Sequence, residues 1–272
     1  MKSEFWKRTL FGSLYVALVV TSLLFFRPFY FQLLFLLVTA FAVREFHHIN
    51  RSDMLLTLSG MLLAWIMFSA CSLFVCTAFW SSAVWLACLY AFVLIMTLVV
   101  ELFKKADNPI ANWGILLAGQ VMVALPFALM NMLFARSNIL LLSVFVIIWL
   151  NDTGAYCVGS LIGRHKMFPR VSPGKSWEGL AGGALFAVLC GYIFLSDPFS
   201  FTGLQYSWWH ALIISLVIVI FGTLGDLMES LTKRTLGIKD SGNVIPGHGG
   251  LLDRFDSILL AVPAVYITLL LI

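Results

Sequence analysis

Long apolar segments follow one another along almost the whole chain, and they constrain its fold more than any other feature. A helix needs about 20 mostly apolar residues to cross roughly 30 Å of hydrocarbon. The chain is 61% apolar and 11% charged, whereas soluble domains carry roughly 25% charged residues. We therefore predict an all-α, polytopic integral membrane protein with about nine transmembrane helices, near residues 10–26, 28–43, 54–75, 80–100, 113–134, 138–162, 177–196, 209–231 and 251–272. No small-residue cleavage site interrupts the first segment, so we expect it to be a retained span.

The basic residues predict how these helices are oriented. With nine alternating spans, all of the 17 Lys and Arg residues except Arg27 and Arg136 fall on one side of the membrane. The positive-inside rule identifies that side as the cytoplasm, so we predict a cytoplasmic N-terminus and a C-terminus outside. The net charge of +4 is modest and gives no reason to expect a nucleic-acid partner.

Composition also divides the chain into two regions. Residues 1–135 contain five spans with few polar groups inside them, whereas residues 136–272 contain almost all the unusual polar residues. We predict an N-terminal transmembrane region over 1–135 and a catalytic transmembrane region over 136–272. The second region has cytoplasmic loops at 163–176 and 232–250.

Acidic residues stand in spaced pairs at the ends of the last two spans. Asp226 and Glu229 are three residues apart, as are Asp253 and Asp256, and Asp152 in the sixth span is a fifth candidate. Acids within spans cost roughly 2.5–3.5 kcal/mol each and usually mark function. Converging carboxylates favour a hard cation such as Mg²⁺, which takes one or two carboxylates together with phosphate oxygens and water.

A simpler interpretation of these acids is a set of helix-end salt bridges. Asp253 is followed by Arg254, and Glu229 precedes Lys233 by one helical turn. That interpretation accounts for about one of the pairs, so both alternatives remain open at this point.

Two cytoplasmic loops have the chemistry of phosphate binding. The first, KRTLGIKDSGNVIPGHGGLLDRFDS at 233–257, combines basic side chains with glycines that let backbone N–H groups approach oxyanions. Its His248 is suited either to bind a phosphate or to cap the last span. The basic residues and glycines concerned are Lys233, Arg234, Lys239, Arg254, Gly242, Gly247, Gly249 and Gly250.

The second loop, GRHKMFPRVSPGKSWEG at 163–179, ends in the run SPGKSWEG. This run resembles an anion site at the N-terminus of a helix that starts at Trp177. Lys175 is its candidate contact. The SPGKSWEG run is not a Walker A loop, because its first glycine is wrongly spaced and we expect no strand to precede the run. The alternative is a solvated basic loop that attracts anionic lipid, worth about 1 kcal/mol per basic residue.

Taken together, these residues resemble the signature of the phosphatidate cytidylyltransferases, also called CDP-diacylglycerol synthases. The NDTGAY and SPGKSWEG segments also look like landmarks of that family, so the resemblance covers roughly residues 150–257. The matching signature positions are Ser230, Lys233-Arg234, Lys239-Asp240, Gly242, Ile245-Pro246, His248-Gly249-Gly250, Asp253-Arg254 and Asp256.

The resemblance implies a multi-pass enzyme of the bacterial inner membrane with its active site facing the cytoplasm. Such an enzyme makes CDP-diacylglycerol and pyrophosphate from CTP and phosphatidic acid for phospholipid biosynthesis. It implies Mg²⁺ as the cofactor, K⁺ as a second ion and a homodimer surrounded by membrane lipids. The family's metal-binding aspartates fall on Asp226 and Asp253.

We expect the remaining candidate residues to align and neutralise two anionic reactants. The candidates for substrate binding are Lys175, Ser230, Lys233, Arg234, Gly249, Gly250 and Arg254. The candidates for a catalytic role, as phosphate contacts or as additional support of the metal, are Lys239, Asp240, His248 and Asp256.

The strongest alternative of another class is an ion-coupled secondary transporter that uses the intramembrane acids. It predicts inverted repeats and polar groups near the bilayer midplane, whereas these acids cluster at the cytoplasmic ends of the spans. A sister enzyme with another lipid substrate, such as a CDP-archaeol synthase or a polyprenol kinase, is a closer rival.

Overall fold

Apolar segments in lipid form helices because their backbone N–H and C=O groups must be satisfied within the segment. The structure is a computed structural model. It describes residues 2–74, 80–198, 202–242 and 249–272, without the side chains of residues 2–10 and 74. Within those ranges the helices are α1 Lys2–Leu24, α2 Pro28–Ile49, α3 Met54–Phe74, α4 Trp80–Phe103, α5 Pro109–Gly119, a π-helical turn Gln120–Ala124, α6 Leu125–Arg136, α7 Asn138–Ile162, α8 Trp177–Leu195, α9 Trp208–Thr235 and α10 Leu252–Leu271.

These helices confirm the predicted all-α, polytopic membrane fold. Among the described residues, 8 helical segments are long and apolar enough to cross a membrane. Helices α5 and α6, with the π-helical turn between them, form one such segment, Pro109–Arg136. The first predicted span falls on α1, whose apolar part Phe11–Leu24 is shorter. The sides on which the two termini lie stay a prediction.

The cytoplasmic loop at 163–179 contains a small β-hairpin that was not predicted from the sequence. Strand β1, Lys166–Phe168, pairs antiparallel with β2, Ser172–Ser176. The expectation that no strand precedes the SPGKSWEG run is therefore wrong, because β1 lies just before this run, whose first five residues form β2. The predicted helix start at Trp177 is confirmed, and the Ser176 hydroxyl caps α8 by accepting from the Gly179 N–H at 3.2 Å.

The chain divides into two compact units: residues 1–135 with 239–254, and residues 136–238 with 255–272. In the first unit α2 packs against α3, and α3 packs against α4. Leu56, Leu63 and Leu116 form a buried apolar cluster there. The core of this unit is thus built from the apolar faces of the predicted spans.

An ion pair joins the connection between α2 and α3 to the end of α4. The Asp53 carboxylate accepts from the Leu56 N–H at 2.7 Å and from Lys104 Nζ at 2.7 Å. Burial of Asp53 acts to raise its pKa, but the hydrogen bonds from Lys104 and from the Leu56 N–H, together with the charge of Lys104, outweigh it. The pKa of this carboxyl therefore lies below its ordinary value.

In the second unit α7 and α8 approach closely at small residues. A Cβ atom at Gly183 would lie 2.5 Å from the Asn151 carbonyl oxygen, and one at Gly179 would lie 2.8 Å from the Ala155 carbonyl oxygen. Small residues at helix contacts let two backbones approach in this way. The contact fixes α8 against the part of α7 that carries Asp152.

We predict that Gly183→Ala destabilises the protein, because the added methyl group forces α7 and α8 apart. Overpacking of this kind typically costs about 1–3 kcal/mol. Thermal unfolding of the purified protein in detergent measures the effect. The matched control is Gly114→Ala on α5, where a Cβ meets nothing within 4 Å. Equal melting temperatures for the two variants would contradict this account of the helix contact.

Candidate active site

A cavity of about 620 Å³ lies in the second unit, bounded by α7, the β-hairpin, α8 and α9. A volume of this order is typical of small-molecule sites, which usually combine apolar walls with a few converging polar groups. Apolar walls come from Met167 and Leu180. The polar and charged lining includes Asp152, Tyr156, Lys166, Lys175, Thr223 and Asp226.

Two predicted site residues meet in this cavity. Lys175 Nζ lies 2.6 Å from Asp226 Oδ2, and the two side chains are 25% and 31% exposed. The Ser230 hydroxyl donates to Asp226 Oδ1 at 3.2 Å from one turn further along α9. A partly exposed ion pair adds about 1 kcal/mol or less to stability, so the significance of this pair lies in where it places its charges.

The hairpin explains how Lys175 reaches this position. Lys175 lies in β2, directly before the Ser176 cap of α8. The Glu178 carboxylate accepts from the backbone N–H groups of Arg164 and His165, at 3.1–3.2 Å. Both ends of the hairpin are thereby held at the first turn of α8, and Lys175 is directed into the cavity.

Two further acids of the second unit belong to the same negatively charged region. The charge of Asp226 acts on both Asp152 and Asp256. Gly225 permits the close approach of α9 and α10, because a Cβ there would lie 2.6 Å from the Asp256 carbonyl oxygen. Among the described residues, however, no three acidic, His or Cys side chains lie close enough to hold a metal ion by themselves.

In the first unit Asp253 organises the two ends of a glycine-rich part of the signature, residues 241–252, which we call the signature segment and of which the structure describes 241–242 and 249–252. Its Oδ2 atom accepts from the Ser241 N–H and hydroxyl, both at 2.9 Å, and from the Gly250 N–H at 2.7 Å. Gly249 has a φ of +80°, and a Cβ there would lie 2.6 Å from Asp253 Oδ2. Glycine is therefore required at this position for both reasons.

The other predicted residues are placed as follows. Glu229 and Lys233 form an ion pair of 2.5 Å on α9, so the salt-bridge alternative holds for this pair. The Arg254 carbonyl oxygen accepts from the Tyr15 hydroxyl at 3.0 Å. Exposed positions are occupied by Arg234, Lys239 and Asp240, whereas Gly247 and His248 lie outside the described residues.

Glu45 on α2 is an acid that the sequence analysis did not select. It is 6% exposed, and its carboxylate accepts from the Leu251 and Leu252 N–H groups at 2.8 and 3.2 Å. It also contacts the Ser241 hydroxyl. Glu45 lies just beyond the predicted span 28–43 and has no second acid one helical turn away, so the pattern of paired acids did not indicate it.

Comparison with known proteins points to one family. A sequence model described as the cytidylyltransferase family matches residues 6–272, well beyond the range of the signature segments. The chain is 45% identical over 130 residues to phosphatidate cytidylyltransferases of Staphylococcus epidermidis and Staphylococcus saprophyticus, and 44% identical over 130 residues to that of Staphylococcus aureus. Each alignment covers 48% of this chain and 48% of the relative, so the chain spans about half the length of the curated relatives it matches.

The geometry around Asp253 predicts different effects of alanine at two glycines. Gly249 and Gly237 both have positive φ, +80° and +68°, but a Cβ meets nothing within 4 Å at Gly237. Both substitutions incur a left-handed backbone cost of roughly 1–2 kcal/mol, while Gly249→Ala also displaces the Asp253 carboxylate. We expect Gly249→Ala to lower the melting temperature in detergent by several degrees more than Gly237→Ala. A larger effect of Gly237→Ala would contradict this geometry.

Proposed function

The chain belongs to the cytidylyltransferase family, and from this premise we propose that it transfers the cytidylyl group of CTP to phosphatidic acid. The products are CDP-diacylglycerol, a precursor for phospholipid biosynthesis, and pyrophosphate. The observation that carries the proposal is the Lys175–Asp226 pair on a polar cavity within a protein of apolar helices. The names of the relatives, phosphatidate cytidylyltransferase, support the same reaction.

The chemistry needs alignment and charge neutralisation more than proton transfer. A phosphate oxygen of phosphatidic acid attacks the α-phosphorus of CTP, and the bond from that phosphorus to the bridging oxygen of the β-phosphate breaks. Pyrophosphate leaves with the electron pair of that bond. A phosphate monoester is already largely ionised near neutral pH, so no general base is required.

The residues of the cavity suit two reactants that are both anions. Lys175 pairs with Asp226, and its flexible ammonium group can turn to a phosphate. Lys166 adds a second positive charge to the lining. These groups would reduce the repulsion between CTP and phosphatidic acid and hold the attacking oxygen near the α-phosphorus.

Mg²⁺ is part of the proposal. Asp152 and Asp226 both line the cavity, and Mg²⁺ usually takes one or two carboxylates, with phosphate oxygens and water completing its coordination. The described residues therefore fit an ion that substrate helps to hold. The resemblance assigns Asp226 and Asp253 to Mg²⁺, and we propose each of them as a ligand. When bound, Mg²⁺ would supply positive charge to the triphosphate.

The roles of the other candidate residues complete the proposal. Lys233, Arg234, Lys239 and Arg254 would contact phosphates, with Ser230, Gly249 and Gly250 as hydrogen-bonding partners. Asp240, His248 and Asp256 would support the metal or the leaving group.

Location and assembly are also proposed. We expect a multi-pass protein of the bacterial inner membrane, with the active site facing the cytoplasm. The resemblance implies a homodimer and K⁺ as a second ion. Detergent-corrected light scattering tests the dimer, and the K⁺ dependence of the rate tests the second ion.

The transporter alternative receives no support from these comparisons. The family model and the relatives' names describe transferases. A substrate-free flux of ions through proteoliposomes would be needed to reopen that alternative.

We predict that Asp226→Asn reduces the rate of CDP-diacylglycerol formation by at least about 100-fold, since it removes the charge that faces Lys175. The assay uses purified protein in detergent with phosphatidic acid, labelled CTP and Mg²⁺, followed by separation of the lipid product. Lost electrostatic stabilisation of this kind typically costs about 10²–10³ in rate.

The matched control for this variant is Asp53→Asn. Asp53 also pairs with a lysine, at 2.7 Å from Lys104, but it does not line the cavity. Asparagine keeps a side-chain oxygen that can still cap α3. We expect the control to retain its rate within about threefold; equal losses in both variants would sink the assignment of Asp226.

A further inference from the structure

We propose that Glu45 is a positioning residue that fixes the two described ends of the signature segment and, through them, the Asp253 carboxylate. Glu45 lies on α2, far from this segment in sequence. The inference rests on the proposed function only in treating Asp253 as a residue that serves the reaction. The structural part stands on contacts within the first unit.

The contacts of Glu45 gather both ends of the signature segment. Its Oε1 atom accepts from the Leu252 N–H at 3.2 Å and contacts the Ser241 hydroxyl, while Oε2 accepts from the Leu251 N–H at 2.8 Å. One carboxylate thus connects the start of the segment, at Ser241, with its end at the first residue of α10. The residues between these ends include four glycines of the signature, Gly242, Gly247, Gly249 and Gly250.

A carboxylate is well suited to this position. Leu251 and Leu252 present N–H groups at the N-terminus of α10, where the first four N–H groups of a helix have no partner within the helix. The positive end of the helix dipole also favours an anion there. These donors offset the cost of burying Glu45, which is 6% exposed, because hydrogen bonds to a charged acceptor are stronger than neutral ones.

Ser241 couples Glu45 to Asp253. Its hydroxyl oxygen lies within hydrogen-bonding distance of both carboxylates. A hydroxyl has one proton, so it can donate to only one of the two acids at a time. The position of the Asp253 carboxylate therefore depends on a network of which Glu45 is a member.

Two signature glycines are explained by the same side chain. A Cβ at Gly242 would lie 3.1 Å from Glu45 Cδ, and one at Gly250 would overlap Glu45 Oε1 and the Ser241 hydroxyl. The segment thus needs glycine at position 250 for its backbone to lie against Glu45, while at position 242 a larger residue would press on the Glu45 side chain. The approach of a phosphate is therefore not the only reason for glycine at these positions.

The test compares Glu45→Gln with Glu101→Gln in the full-length protein in detergent. The amide keeps the size of the side chain but removes its charge and one acceptor. Glu101 is a matched control because it is also a buried acid of the first unit, 1% exposed. Its partners are Lys104 and Asn112, not the signature segment.

The first readout is hydrogen–deuterium exchange of the peptide that contains Leu251 and Leu252, measured without Mg²⁺ or substrate. We expect exchange of these amides at least tenfold faster in Glu45→Gln and unchanged in Glu101→Gln. The second readout is the Mg²⁺ concentration for half-maximal CDP-diacylglycerol formation. It should rise about 10- to 100-fold in Glu45→Gln only, as is typical when a residue supporting a metal ligand is lost.

Unchanged exchange and unchanged Mg²⁺ dependence in a folded Glu45→Gln variant would overturn the proposal. If that variant does not fold, Ser241→Ala removes the hydroxyl that links Glu45 to Asp253 and must raise the Mg²⁺ concentration for half-maximal product formation in the same way. Wild-type protein that makes no CDP-diacylglycerol would refute the proposed function. The exchange measurement would still decide the structural role of Glu45.

Discussion

Charged groups among apolar helices are expensive unless they have hydrogen-bonding or ionic partners. This constraint governs how polar side chains are placed within each unit. Glu101 shows it in its simplest form: its carboxylate accepts from Lys104 Nζ at 2.5 Å and from the Asn112 amide at 2.9 Å. Glu45 instead uses backbone N–H groups at the start of α10. The partners of Glu101 lie at the end of α4 and on α5, and those of Glu45 lie at the start of α10. Each buried carboxylate therefore also holds these segments in place.

The candidate active site extends the same principle to a cavity. Lys175 and Asp226 neutralise one another at 2.6 Å while remaining partly exposed, so both can exchange this contact for a ligand. The hairpin and the α7–α8 contact at Gly183 position the lysine and the wall that carries Asp152. The proposed function thus depends on a few polar contacts, whose positions are set by the packing of the hairpin, α7 and α8.

The sequence predicted the helices well, because length and apolarity are local properties. Span four, for example, was placed at 80–100 and α4 is Trp80–Phe103. The hairpin was missed because β1 and β2 are short and β2 contains proline and glycine, which are uncommon in strands. Asp226 was identified because acids are rare in spans. Its pairing with Lys175 was not predictable, since it joins residues about 50 positions apart through tertiary packing. Glu45 escaped notice because no second acid lies one turn away.

The most direct test of the proposed cytidylyl transfer is to follow the individual phosphates of CTP. Purified wild-type protein would be supplied with phosphatidic acid, Mg²⁺ and CTP labelled either at the α- or at the γ-phosphate. The account predicts that the α-label enters the lipid product and that the γ-label appears in pyrophosphate. A γ-label in the lipid would indicate a lipid kinase instead. No label in the lipid, from protein shown to be folded, would contradict the proposed transfer altogether.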